Sequence, residues 1–203
     1  MANTGNLKSI LRPGAPVLVA RADADHRKLR YTLVAARQRD RWVAVDANLA
    51  PKLLAEALAE SRLAGFGGWE LERTEPAVDG GRLDLLLRES ATGRPLWLEA
   101  KCTTLVTNRV ARFPKPATPR GRRHLRSLTE LARAGERTAV CFVAQRSDAH
   151  AFRTLDQVDP EFTQLLAEAR AAGVRCHAYR SRVTQRGIWL WDEIPILDAA
   201  IAR

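Results

Sequence analysis

Acidic residues are absent from one whole stretch of this 203-residue chain: positions 100–129 contain no Asp or Glu. The chain holds 23 acids, which would put about three in a window of that length. Cysteine is scarce, with Cys102, Cys141 and Cys176 far apart, odd in number and set in apolar runs. That excludes a disulfide frame and a zinc site and predicts reduced core thiols in a cytoplasmic protein. There is no apolar run long enough to span a bilayer, no apolar signal-peptide core near the start, no internal repeat and no low-complexity segment.

Hydrophobic residues make up 46% of the chain, enough for a core, and charged residues 28%. The length fits one large domain, or an ordinary domain with a small one attached. The formal net charge is +10. Such a balance points to a polyanionic partner, nucleic acid first and acidic membrane surfaces second. The acid-free window carries eight basic residues: Lys101, Arg109, Arg112, Lys115, Arg120, Arg122, Arg123 and Arg126.

The stretch Gly81–Leu105 reads as a β-hairpin. Arg82–Leu87 is one apolar strand and Leu96–Cys102 the other, with Ser90, Thr92, Gly93 and Pro95 supplying the turn. Glu99 and Lys101 share a face. The midpoint between Asp84 and Glu99 falls inside the loop, so a symmetric hairpin makes them cross-strand neighbours. Like charges placed opposite each other are destabilising. A divalent cation resolves that conflict, and a lysine two residues on completes a hydrolytic set.

The order Asp84, turn, Glu99-Ala100-Lys101 resembles the PD-(D/E)XK nuclease signature. In that reading Asp84 and Glu99 hold Mg²⁺ through oxygen, with the Ala100 carbonyl as an added ligand. Lys101 orients the attacking water and offsets charge at the phosphate. The pattern alone balances evenly against a surface hairpin with solvated charges.

Taken in order, residues 1–47 form a small basic β unit with short runs Val17–Ala22, Leu29–Gln38 and Trp42–Ala47. Nine Lys/Arg lie before residue 42 against Asp23, Asp25 and Asp40. Such a meander either is merely solvated or helps to hold a nucleic-acid strand as OB-like folds do. A helix is predicted from Asn48, as cap, to Phe66, then an irregular strand Trp69–Val78 and the hairpin. A Pro-rich loop Val106–Pro119 follows. A helix capped by Thr118, with Pro119 at its first position, ends at Gly135. Its Arg122, Arg126 and Arg133 lie opposite the apolar face, where they track a phosphate backbone or are simply solvated. His124, at the edge of that face, is first a packed, hydrogen-bonded residue and second a phosphate contact. Arg137–Gln145 reads as a central strand and Ser147–Asp156 as a loop. A helix from Asp159 to Gly173 and strands Val174–Val183 and Gly187–Leu197 complete the chain, with Trp189 and Trp191 expected in the core. From Asn48 on, the order helix–β–β–β–helix–β matches the restriction-endonuclease-like core, with the charges on its second and third strands.

More specifically, the chain resembles the SfsA family, named for sugar fermentation stimulation. The resemblance runs from Asn3-Thr4-Gly5 through Pro13-Gly14, Arg82-Leu83-Asp84 and Leu98–Leu105. It continues through Phe113-Pro114, Thr118, Arg120-Gly121 and His124-Leu125-Arg126 to the last β segment. It implies an α/β fold: an OB-like β domain at 1–47, then a PD-(D/E)XK nuclease-like domain at 48–203. It also implies non-specific DNA binding and a regulatory role in sugar metabolism. Arg82 enters the candidate site through this resemblance, and Glu72 as a further acid matched with a one-residue offset. Three departures stand out. The family carries more β sequence before Asn-Thr-Gly, so the first domain is expected to be incomplete. Gly81 stands where the family has Ser, and Lys115 where an acid follows Phe-Pro.

Two functions follow. One is a DNA-binding protein held by phosphate contacts from the basic meander and residues 109–126. The other is a Mg²⁺-dependent deoxyribonuclease using Asp84, Glu99 and Lys101, with Arg120 and Arg123 neutralising phosphate. DNA is the expected partner, membrane is not, and a homodimer is an allowed assembly.

Overall fold

The computed structural model describes residues 7–21, 29–79 and 81–197. The Asn3-Thr4-Gly5 stretch, and Ala22 with the predicted break at Asp23–Lys28, lie outside the described residues. The first sheet is antiparallel in the order β1 (Val17–Arg21), β2 (Tyr31–Gln38) and β3 (Arg41–Ala44). Three strands this short need a second layer. One face supplies Ala36, Val43 and Val45 to a small cluster with Leu7 and Ile10. The other sets Ala35 and Ala44 against Val183.

Helix α1 (Leu49–Ala59) follows. It is shorter than predicted because Ser61 takes a positive φ and the chain turns, so that Leu63 and Phe66 pack into the core from outside the helix. Asn48 makes no side-chain cap bond. Instead Asp46 turns the chain, its Oδ1 accepting from the Asn48 N–H at 3.0 Å.

The remaining strands are β4 (Trp69–Thr74), β5 (Ala77–Val78), β6 (Gly81–Arg82), β7 (Leu85–Glu89), β8 (Pro95–Thr103), β9 (Val106–Thr107) and β10 (Val110–Phe113). After α2 (Pro119–Arg133) come β11 (Arg137–Ala144), β12 (Ala151–Thr154), α3 (Pro160–Ala171), β13 (Arg175–Val183) and β14 (Ile188–Glu193). The central sheet runs β14-β13-β11-β8-β7-β4. β8, β11 and β13 are parallel, while β4 and β7 on one side and β14 on the other pair antiparallel.

Both faces of this sheet are covered, which is why β11 is apolar on both faces from Ala139 to Ala144. On one face α1 brings Leu53, Leu54, Ala57 and Leu58 against Leu85, Leu87, Leu98, Ala139 and Cys141. On the other, Leu125, Leu128, Phe162 and Leu166 of α2 and α3 meet Val140 and Phe142. Asp159 ties the two helix starts together: its carboxylate accepts from the Phe162 N–H of its own helix at 3.0 Å and from the Thr118 N–H ahead of α2 at 2.8 Å. The helices approach closely at Gly121, where a Cβ would lie 2.7 Å from the Thr118 side chain and 3.2 Å from Phe162.

Two predicted loops contain strands, and one predicted core residue is exposed. The Val106–Pro119 loop contains β9 and β10, and the Ser147–Asp156 loop contains β12, which together form a separate sheet in the order β12-β10-β9. These strands have four residues or fewer, and β10 pairs in parallel with a partner some forty residues on, so no local alternation marks them. Trp191 is exposed rather than in the core, because β14 is the sheet edge; Arg180 and Arg182 stack on its ring at 4.5 and 5.4 Å.

Candidate metal centre and nucleic-acid interface

The β7–β8 register decides where the charged strand residues meet. Leu85 pairs with Leu98, Leu86 with Trp97 and Leu87 with Leu96. One step further places Asp84 opposite Glu99, as the symmetric hairpin predicts. The ladder stops there, because residues 83 and 84 turn toward the β4–β5 connection: Leu83 N–H donates to Pro76 O and Glu75 N–H to Asp84 O. The freed edge of β8 offers its Ala100 N–H to Asp84 Oδ2 at 2.7 Å. The predicted single strand Arg82–Leu87 is therefore broken at the residue that turns into the site.

Glu99 and Lys101 pair with Val140 and Phe142 of β11, which places them on the α2 face. Both are buried, at 2% and 9% exposure. Lys101 Nζ donates to Glu99 Oε1, and His124 Nδ1 meets the same oxygen. Arg120 Nε donates to His124 Nε2 at 3.4 Å. An accepting Nε2 leaves the imidazole proton on Nδ1, directed at Glu99. His124 is thus a buried positioning group one helical turn below Arg120.

The other Glu99 oxygen, Oε2, is buried with no hydrogen-bond partner. Its neighbour Asp84 is pushed up to about 7 by burial and then by the Glu99 charge, against the pull of the Ala100 N–H and Lys101. Burial also pushes Glu99 up, but Lys101 and His124 outweigh it and hold the group below its ordinary value. A carboxylate with a bare buried oxygen beside a second carboxyl whose charge burial opposes is a donor set that a hard cation satisfies. The residues present fit such an ion through Asp84 and Glu99, with the Ala100 carbonyl on the same edge of β8 as its N–H. Among the described residues no group of three or more His, Cys, Asp or Glu forms a metal cluster, so water or a ligand oxygen would fill the remaining positions.

Glu72 is not brought to this site. It pairs with Arg88 at 2.7 Å, four residues along β7 toward the hairpin loop. Glu75, which no sequence motif marks, lies closer: it lines a pocket of about 350 Å³ with Arg82, Asp84 and Arg120. Arg82 pairs with Glu75 at 3.2 Å across the pocket mouth. The signal for Glu75 is conformational, a positive φ at the turn beside Asp84, and sequence pattern does not carry it.

The basic residues separate into two groups. Arg122, half-buried, is bound to Asp159 at 2.9 Å and also to Glu161, and the exposed Arg126 reaches Glu161, so both are paired with α3. Lys115 and Arg120 line a second pocket of about 430 Å³ that borders the first at Arg120. Arg123 is exposed. Arg109 at the β9–β10 tip donates to His150 Nε2 at 2.6 Å. It also faces a cleft of about 400 Å³ beneath the first sheet, lined by Arg12, Arg37, Arg39, Arg41 and Arg146, with Asp148 as the acid. Arg112 lies half-buried on β10, in register with Arg153.

A mixed sheet covered by helices on both faces, with Asp, Glu and Lys at the frayed β7–β8 edge, defines a restriction-endonuclease-like domain, here behind a small OB-type β unit. Comparison with known proteins agrees. The model described as "Sugar fermentation stimulation protein RE domain" matches residues 48–187, and "SfsA N-terminal OB domain" matches residues 1–45. The chain belongs to the SfsA family. A sugar fermentation stimulation protein homolog of Maridesulfovibrio salexigens is 36% identical over 195 residues, covering 96% of this chain and 82% of that protein. One from Alkaliphilus metalliredigens is 38% identical, covering 97% and 84%. The structure of Pyrococcus furiosus SfsA in complex with Ca²⁺ superimposes with a TM-score of 0.89 at 27% identity, over 97% of this chain and 84% of that one.

Proposed function

We propose that this protein binds DNA non-specifically through its phosphates and holds a divalent cation between Asp84 and Glu99 beside that surface. The observation that carries the DNA reading is the cleft under the first sheet, where six arginines face one aspartate. Two of them sit at hairpin tips: Arg39 and Arg109, with Asn108, all take positive φ. Non-glycine residues in that conformation are held there by their surroundings, and here they point guanidinium groups into one cleft. Phosphate contacts of this kind give affinity without sequence choice and a steep salt dependence.

Mg²⁺ is the cation we favour in the cell, supported by the all-oxygen donor set and by the Ca²⁺ in the complex of the Pyrococcus furiosus relative. When bound, the ion would supply Lewis-acid polarisation of a phosphate oxygen. Of the chain's own groups, Lys101 offsets negative charge next to Glu99, His124 holds the same Glu99 oxygen from α2 beside Lys101, and Arg120 reaches from His124 toward the pocket mouth.

Phosphodiester hydrolysis is the second reading, and the unpartnered Glu99 Oε2 beside Asp84 favours it. Burial keeps the Cys102 thiol up at about 11 and Cys176 at about 12, which leaves neither as a nucleophile at neutral pH. Control of sugar-metabolism genes belongs to the same proposal, supported by the family description. So do a division near residues 47 and 48 and a cytoplasmic location, for which the three free thiols speak; no helix among the described residues is long and apolar enough to cross a membrane. Sedimentation of the DNA-free chain would reveal a homodimer.

The test is supercoiled plasmid incubated with the protein and Mg²⁺ or Mn²⁺, beside an Asp84→Ala/Lys101→Ala variant. A gel shift by both without cutting supports DNA binding on an idle nuclease site. Nicking by the wild type alone establishes hydrolysis and its residues. Absence of any shift at low salt would sink the proposal.

A further inference from the structure

The small β12-β10-β9 sheet holds an arrangement that folding alone does not favour. β10 and β12 run parallel, and Arg112 is paired directly with Arg153. Both are half-buried, neither forms a salt bridge within the described residues, and Arg153 Nε is buried with no partner. Like charges set opposite each other on one face destabilise a sheet, and a buried N–H left unpaired adds a desolvation cost. The two side chains line a pocket of about 380 Å³ with Thr107, Thr154, Gln157 and one acid, Asp156.

A phosphate group relieves each of these defects. It takes the two guanidinium groups as charge partners, gives the Arg153 fork an acceptor, and finds hydroxyl and amide donors at Thr107, Thr154 and Gln157. Sulfate-like anions share the shape, but of cellular anions presented to such a surface the phosphate of a nucleic-acid backbone is the one the rest of the molecule already faces. The pocket borders the Lys115–Arg120 pocket at Leu105. Thr103, at the end of the strand carrying Glu99 and Lys101, donates its hydroxyl to Arg112 O at 2.5 Å. The pair is therefore set just beyond the metal site, on the far side of the β9–β10 hairpin from the arginine cleft.

We infer that Arg112 and Arg153 form a phosphate subsite, occupied by a backbone phosphate of bound DNA. The choice of DNA as the source rests on the proposed function; the anion chemistry does not. Binding of labelled duplex DNA is measured against KCl concentration for the wild type and for Arg112→Gln/Arg153→Gln, and the unfolding midpoint of each is read with and without inorganic phosphate. The double variant is expected to lower the slope of log affinity on log salt by about one to two. In the absence of ligand its unfolding midpoint should match or exceed that of the wild type, since a repulsion has been removed. Phosphate should raise the wild-type midpoint and not that of the variant. Should the double variant fail to fold, Arg153→Lys keeps the charge but loses the fork, and should bind DNA more weakly than wild type at each salt concentration. If the wild type binds no DNA but phosphate still protects it and not the variant, the subsite stands with free phosphate as its ligand, and the DNA reading falls. If DNA binds both proteins with one affinity and one slope, and phosphate shifts both midpoints alike, the inference is overturned.

Discussion

Two charged regions of this protein are built on opposite principles. In the Asp84–Glu99–Lys101–His124 cluster, Glu99, Lys101 and His124 are buried on β8 and the helix packed over it, where register fixes them, and Asp84 is half-buried just past the end of the β7 ladder. The cleft of Arg12, Arg37, Arg39 and Arg109 is exposed and set by hairpin tips and turns. In the first, charges are few and each is coupled to the others, so removal of one leaves the rest uncompensated. In the second, charges are many and act nearly independently, so each contributes a similar small part of a large sum. On the proposed function, chemistry falls where position is rigid and affinity where only charge and reach matter.

The sharpest way to break this contrast is Glu99→Ala. It leaves Lys101 buried beside His124 without its acid, and should cost about 3–5 kcal/mol of stability, read by urea denaturation. A loss under about 1 kcal/mol would mean that the cluster is solvated and not coupled.

Arg37→Glu/Arg39→Glu should do the reverse. DNA affinity is expected to fall on the order of a hundredfold at physiological salt, with a flatter salt dependence, while the unfolding free energy stays within about 0.5 kcal/mol of wild type. Equal DNA affinity would remove the cleft from the interface.

Gly121→Ala probes the α2–α3 contact behind the buried region. The added methyl meets Thr118 and Phe162, and overpacking there should cost about 1–3 kcal/mol.

The pH dependence is the smallest effect. Burial pushes Asp159 up, but the Thr118 and Phe162 N–H groups and Arg122 outweigh it and hold the carboxyl below its usual value of 3.8. A depressed folded pKa contributes stability that is fully present above 3.8 and is lost as pH falls through and below it. Asp159→Asn should therefore be less stable than wild type at neutral pH, with the gap narrowing as pH falls below 3.8; a gap that does not narrow in acid would contradict this.

Sequence made the buried region more legible than the exposed one. The Asp84–Glu99 opposition follows from counting residues about a turn, because strand register is a local quantity in a short hairpin. Thr118 and Asp159 announce helix starts by side-chain chemistry that needs no tertiary partner. The parallel β10–β12 pairing gave no local sign, which hid Arg153 in a predicted loop. The helical spacing of Arg122 and Arg126 correctly put them off the apolar face, but only the packed α3 shows that Asp159 and Glu161 occupy them. Glu72 matched a pattern by position along the chain, yet the bulge between Leu71 and Arg73 and the pair with Arg88 take it elsewhere.

The most direct test of the central claim is a calorimetric titration of Mg²⁺ and Ca²⁺ into the wild type and Asp84→Asn. The account predicts one saturable site in the wild type, lost in the variant, with both proteins folded. Equal binding by the two, or none by either, would contradict a cation held between Asp84 and Glu99.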